Sequence, residues 1–267
     1  MFFLPLYDDN PTKRNPIVTR ALIILCGIIF LWQFSLDEDY EHVIALAFGF
    51  VPARFFGTVG LDRAIDFIPA WMSLGTHAFL HGGWMHLLGN MLYLWIFGNN
   101  VEDAMGRGRF VVFYLLCGAA AALVQGFIDP KSTIPMIGAS GAIAGISGAY
   151  LLLYPRANVT VLMVIIIYFR RINVPAVVVL LVWFAAQIWS ATHSSTSGGG
   201  VAFWAHIGGF VAGLILIPFF KSPDVPLFAK PQSVPLETIP LGLGKRQGSV
   251  PRSGNWPSSG SVWRRND

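Results

Sequence analysis

Charge is scarce in this chain. Aspartate, glutamate, lysine and arginine make up only 12% of its 267 residues, against about 25% in an ordinary soluble domain. That shortage excludes a solvated globular protein. It also strips the net charge of +4 of its usual meaning, an affinity for nucleic acid or an acidic partner. Cysteine is equally sparse: Cys26 and Cys117 stand alone, and both fall within apolar runs, where a free thiol behaves as a small hydrophobe. Neither points to a disulfide framework or a metal cluster. No H-E-x-x-H is present, so His77 and His81 lack an accompanying acidic ligand, and hydrogen bonding in a loop or core is their expected role. Also missing is a small-x-small cleavage site between the first apolar run, Ala21 to Phe34, and the acidic Asp37, Glu38 and Asp39. That run therefore reads as a retained span rather than a signal peptide.

What is present is apolar surface, with 54% hydrophobic residues and a mean hydropathy of +0.59. Six runs approach the length of about 20 residues that a hydrocarbon core demands: roughly 17–36, 84–101, 109–127, 138–153, 174–191 and 202–220. An even number puts both termini on one side. Lys13, Arg14, Arg20, Arg107, Arg109, Arg156, Arg170, Arg171 and seven basic residues beyond Phe220 then share that side, while only Arg54, Arg63 and Lys131 face the other. By the positive-inside rule the termini are cytoplasmic. The expected layout is a cytoplasmic N-terminus over 1–16, a membrane domain over 17–220 and a cytoplasmic tail over 221–267. That tail is rich in Pro, Gly and Ser and too poor in apolar surface to offset its chain entropy, so disorder is expected. The long connection 37–76 carries Phe48, Phe50, Phe55, Phe56, Phe67 and Trp71, which suits an interfacial element at the headgroups. Residues 157–172 read as a cytoplasmic interfacial segment, because a seventh span there would break the charge topology.

Polar groups inside spans are costly and are functional suspects by default. The second span and its approach carry His77, His81, His86 and Asn90, the fourth opens on Gly138-Ala139-Ser140-Gly141, and the sixth carries His206. Spans two, four and six all begin on the extracytoplasmic side, and at 1.5 Å per residue Asn90, Ser140 and His206 lie no more than about 10 Å below it. Water reaches that depth from one face. A serine hydroxyl needs an adjacent base to become a nucleophile, and a neutral imidazole suits neutral pH, so His206 is the natural base for Ser140. His86 and Asn90, at i and i+4, share a helix face, and with the backbone N–H groups at the start of span four they can serve as oxyanion donors. Gly141 with Gly145, and Gly209 with Gly213, make small-xxx-small faces on which spans four and six can approach. No Asp or Glu lies in these spans, so a third triad member would come from a loop, and a dyad is expected.

Taken together, the run of His77, His81, His86 and Asn90, the G-x-S-G at Gly138 to Gly141 and the A-H-x-G-G at Ala205 to Gly209 resemble the rhomboid intramembrane proteases, over about residues 17–220. The resemblance implies an all-α, polytopic six-transmembrane-helix bundle with a long interfacial first loop. It also implies a serine endopeptidase with Ser140 as nucleophile and His206 as general base and acid. His86, Asn90 and the Ser140 N–H would form the oxyanion hole, and Gly138, Gly141 and His81 would support the site. Substrates would be single-span or other transmembrane proteins, cut through an acyl-enzyme near the extracytoplasmic end of a helix, with membrane lipid as surroundings and no metal or cofactor. Two departures stand out: no Trp-Arg pair precedes His77, since Met72 follows Trp71, and Ala144 occupies the place where many members stack an aromatic ring on the imidazole. The rival reading is a rhomboid-like protein that binds membrane clients without cutting them; a transporter would instead need mid-membrane charges or inverted repeats. With Asp8 and Asp9 and no Arg- and Ser-rich stretch, the N-terminus does not resemble an organellar transit peptide, so a bacterial plasma membrane is expected.

Overall fold

The structure, a computed structural model, describes residues 2–165, 168–193 and 201–230. The order of elements is β1 (Phe2–Asp8), α1 (Ile17–Phe34), α2 (Glu38–Phe48), α3 (Pro52–Phe55), α4 (Ser73–Thr76), α5 (Trp84–Tyr93), α6 (Asn99–Met105), α7 (Arg107–Ile128), α8 (Ser140–Leu153), β2 (Asn158–Ile165), β3 (Tyr168–Pro175), α9 (Ala176–His193) and α10 (Phe203–Phe220). Among the described residues, α1, α7, α9 and α10 are long and apolar enough to cross a membrane, and α8 is shorter but equally apolar. Helices α5 and α6 run on without a break through a π-helical turn at Leu94–Gly98, a wide turn that re-aims side chains within a helix.

The all-α expectation is corrected by a three-stranded antiparallel sheet in the order β1-β2-β3. The stretch read as an interfacial segment is a hairpin, with Val159 opposite Val174 and Val164 opposite Phe169. Its Val-, Ile- and Leu-rich run favours extended backbone, and Val159 and Val161 are buried against the helices. The N-terminal segment supplies the third strand, Phe3 opposite Met163, with an irregularity between Pro5 and Tyr7. Residues 174–175, expected to open span five, belong to β3 instead.

Two acids, Glu102 buried and Asp8 half-buried, tie this end of the bundle together. Glu102 accepts from the N–H groups of Val18 and Thr19 at 3.0 and 2.7 Å and from the Thr19 hydroxyl at 2.8 Å, which satisfies otherwise orphaned donors at the start of α1. Asp8 accepts from Tyr150 at 2.7 Å and from Asn100 at 2.8 Å. The opening of the tail is corrected too. Ser222 N–H donates to Ala104, and Phe228 and Ala229 donate to the last carbonyls of α8, at Leu152 and Leu153, so 221–229 caps helix ends. The rest of the expected disordered tail, from 231, lies outside the described residues.

At the other end, the first connection, read from the sequence as an interfacial element, folds into α2, α3, α4 and short turns. Arg54, almost fully buried, donates to the Ala47 carbonyl at 2.9 Å, to Asp66 at 2.5 Å and to the Ile68 carbonyl. This guanidinium anchors the loop that the missing Trp-Arg pair left without an obvious tether. Phe50 exchanges backbone hydrogen bonds with Met136 at 2.9 and 2.8 Å, and Gly138 N–H donates to the His77 carbonyl at 2.9 Å. The strand-like approach to Ser140 is thereby strapped to the approach to α5.

Candidate active site

Three helix starts converge on one cavity of about 880 Å³, lined among others by Ser140, His206, His86, Asn90, Trp183 and Tyr93. Helices α8 and α10 bring the first two together because they pack almost without side chains between them. A Cβ on Gly209 would run into the Gly141 carbonyl, and one on Gly213 into the Gly145 carbonyl. Only glycine permits such an approach of backbones, the expected use of small-xxx-small faces.

At the mouth of this interlock, Ser140 Oγ lies 2.8 Å from His206 Nε2. Ser140 is the first residue of α8, so its backbone N–H has no intrahelical acceptor. Asn90, on the facing helix α5, is buried, and its Nδ2 finds no partner among the described residues. A buried amide donor left unpaired costs about 1–3 kcal/mol, a cost that an incoming oxyanion would remove. The Gly82 N–H donates to His86 Nδ1 at 3.3 Å, so in the neutral ring the proton sits on Nε2. That nitrogen faces Gly138: a Cβ there would lie 2.5 Å from His86 Nε2 and 3.8 Å from Asn90 Nδ2. Gly138 also has φ +122°, a conformation that L side chains rarely adopt. His86, Asn90 and Gly138 are thus brought to the same spot, two residues ahead of Ser140.

His81 is fully buried and packs its ring edge-on against His86, centroids 5.2 Å apart, while its backbone N–H donates to Gln33 at 3.1 Å. Burial pushes the imidazole of His77 down to about 4, and its Nε2 faces the Gly118 carbonyl at 3.4 Å, so it acts as a neutral core group. Among the described residues no cluster of His, Cys, Asp and Glu could hold a metal.

Two contributors escaped sequence reasoning. His206 Nδ1 lies 2.7 Å from Gln187 Oε1, and the Trp183 ring sits 5.9 Å from the imidazole at 35°. Both come from α9, so a third partner reaches the histidine from a span and not from a loop, and it is an amide rather than an acid. The signal was available: Gln187 is an amide in the middle of an apolar helix, the kind of residue that marks a site in a membrane protein. Trp183 carried no comparable mark.

Chemically, the arrangement holds a hydroxyl against an imidazole with unpaired donors close by, the constellation of acyl transfer. The Rhomboid domain family model matches residues 69–222, which include every one of these groups. A curated relative, Rhomboid-like protein 11, chloroplastic, from Arabidopsis thaliana, is 31% identical over 205 residues, covering 69% of this chain and 70% of the relative.

Proposed function

Because the chain belongs to the rhomboid family, and so is an integral membrane protein, we propose that it is an intramembrane serine endopeptidase with Ser140 as nucleophile and His206 as its general base. The observation that carries this reading is the 2.8 Å contact between Ser140 Oγ and His206 Nε2. His206 Nε2 takes the hydroxyl proton as Oγ attacks the scissile carbonyl, and the developing oxyanion is received by the Ser140 N–H, Asn90 Nδ2 and His86 Nε2. The imidazolium then protonates the leaving amine, and water, activated by the same imidazole, releases the acyl group. Burial of the site favours this chemistry, since electrostatic contacts strengthen where water is sparse.

We assign transmembrane helices as substrates and six spans to the bundle, with α5–α6 and α8 joining the four longer helices. The charge distribution supports cytoplasmic termini, which turns the cavity to the extracytoplasmic face of a bacterial plasma membrane and puts cleavage near that end of the substrate.

Cleavage of a model transmembrane substrate in detergent tests the reading. Ser140→Ala and His206→Ala are expected to abolish product, and Asn90→Ala to lower turnover by about 10²–10³. Wild-type protein that binds such helices without cutting them would favour the client-binding alternative, and cutting that survives both alanine variants would overturn the mechanism.

A further inference from the structure

Neutral histidine carries one ring proton, and its position decides whether His206 can act. For Nε2 to accept from Ser140, the proton must sit on Nδ1. A free imidazole is not committed to that tautomer, so something must accept from Nδ1. Within hydrogen-bond distance of that nitrogen, among the described residues, stands Gln187 Oε1, at 2.7 Å. Four residues earlier on the same face of α9, Trp183 lies against the ring at a 5.9 Å centroid distance, whereas Ala144 on α8 offers only a methyl. The i, i+4 pair therefore orients the imidazole by one hydrogen bond and one aromatic contact, both from span five.

Resting on the protease reading above, we propose that Gln187 is the positioning residue of the dyad: its Oε1 accepts the His206 Nδ1–H, fixes the tautomer and frees Nε2 for the Ser140 proton. An amide does this without placing a carboxylate in the membrane, where ionised groups are expensive. The side-chain N–H₂ of the same amide can only donate, so the arrangement that leaves Nε2 free for Ser140 is the one in which Oε1 faces Nδ1, as it does here.

The test uses the full-length protein in detergent. Gln187→Leu, apolar in an apolar helix, is expected to lower kcat about 10²-fold, the usual cost of a misplaced catalytic group, with KM unchanged. Gln187→Glu, which still offers Nδ1 an acceptor, is expected to recover turnover that Gln187→Leu loses and to move the acidic limb of the kcat/KM profile upward by about 1–3 pH units, as an anion beside an imidazole does. His77, His86, Tyr93 and Asp129, the other titratable groups lining the cavity, are unchanged in both variants and set the common background of that profile. Histidine ¹⁵N spectra supply a readout independent of cleavage: a protonated Nδ1 at His206 in the wild type, lost or mixed in Gln187→Leu. Full activity in Gln187→Leu, an unmoved limb in Gln187→Glu, or a wild-type His206 protonated on Nε2 would each overturn the proposal. Failure of the wild type to cut any substrate would instead count against the protease reading, and the ¹⁵N spectrum would still decide the tautomer.

Discussion

Gly138 shows how much a single missing side chain can decide. Its φ of +122° and the 2.5 Å that would separate an added Cβ from His86 Nε2 mean that alanine there would be strained and would push the imidazole away from the spot it shares with Asn90 Nδ2. Gly138→Ala is expected to cut turnover by about 10² or more, the value of one lost oxyanion donor. Gly75→Ala, whose Cβ would meet nothing within 4 Å, is the control expected to keep wild-type rates in the same cleavage assay.

Among elements, the α8–α10 interlock is what brings Ser140 and His206 into contact. Its contacts are backbone against backbone, so a larger residue cannot be relieved by a rotamer change and must separate the helices. Gly213→Val is expected to cost about 1–3 kcal/mol from overpacking, seen as a lower melting temperature. It should also slow labelling of Ser140 by a fluorophosphonate, because Ser140 and His206 lie at the head of the same pair of helices. Normal labelling together with a lowered melting temperature would mean that the site tolerates a wider crossing. The sheet plays the complementary part at the far end, where β1 returns the N-terminus beneath the bundle through Asp8 and Asp9, the latter bonded to Asn158 at 2.8 Å.

At the scale of the whole molecule, that far end is sensitive to pH. Burial pushes the Asp8 carboxyl up to about 6 from an ordinary 3.8, against the opposing pull of its hydrogen bond from Tyr150. The folded protein therefore holds the proton more tightly than the unfolded chain, and this stabilising contribution is complete below about pH 4 and lost as pH rises through about 6. In melting experiments between pH 4 and 7, the stability of Asp8→Asn relative to wild type is expected to improve as pH rises. Orientation is tested on the same scale. Cys26 and Cys117 are fully buried, which leaves them silent toward membrane-impermeant maleimides. A cysteine placed at the exposed Lys131 should react from outside intact cells and one at the exposed Arg156 should not; the reverse pattern would invert the topology.

Hydropathy, charge and motif spacing were enough to place the long apolar helices, though not α2 to α4 in the first connection, within a few residues and to single out Ser140, His206, His86 and Asn90, because those properties depend on local composition and a 3.6-residue period. A sheet against the helix ends could not be read that way, since β1 pairs with residues more than a hundred positions away and an apolar run alone does not distinguish a strand from a membrane segment. For the same reason the partner of Gln187 stayed hidden: an amide in an apolar helix marks it as a suspect, but His206, 19 residues further along, meets it only through packing. The sequence by itself determined which reactive residue types are present and where each stands along its helix. Only the tertiary structure decided what orients His206, because a hydrogen bond of 2.7 Å between two spans is a property of their packing and of no single segment.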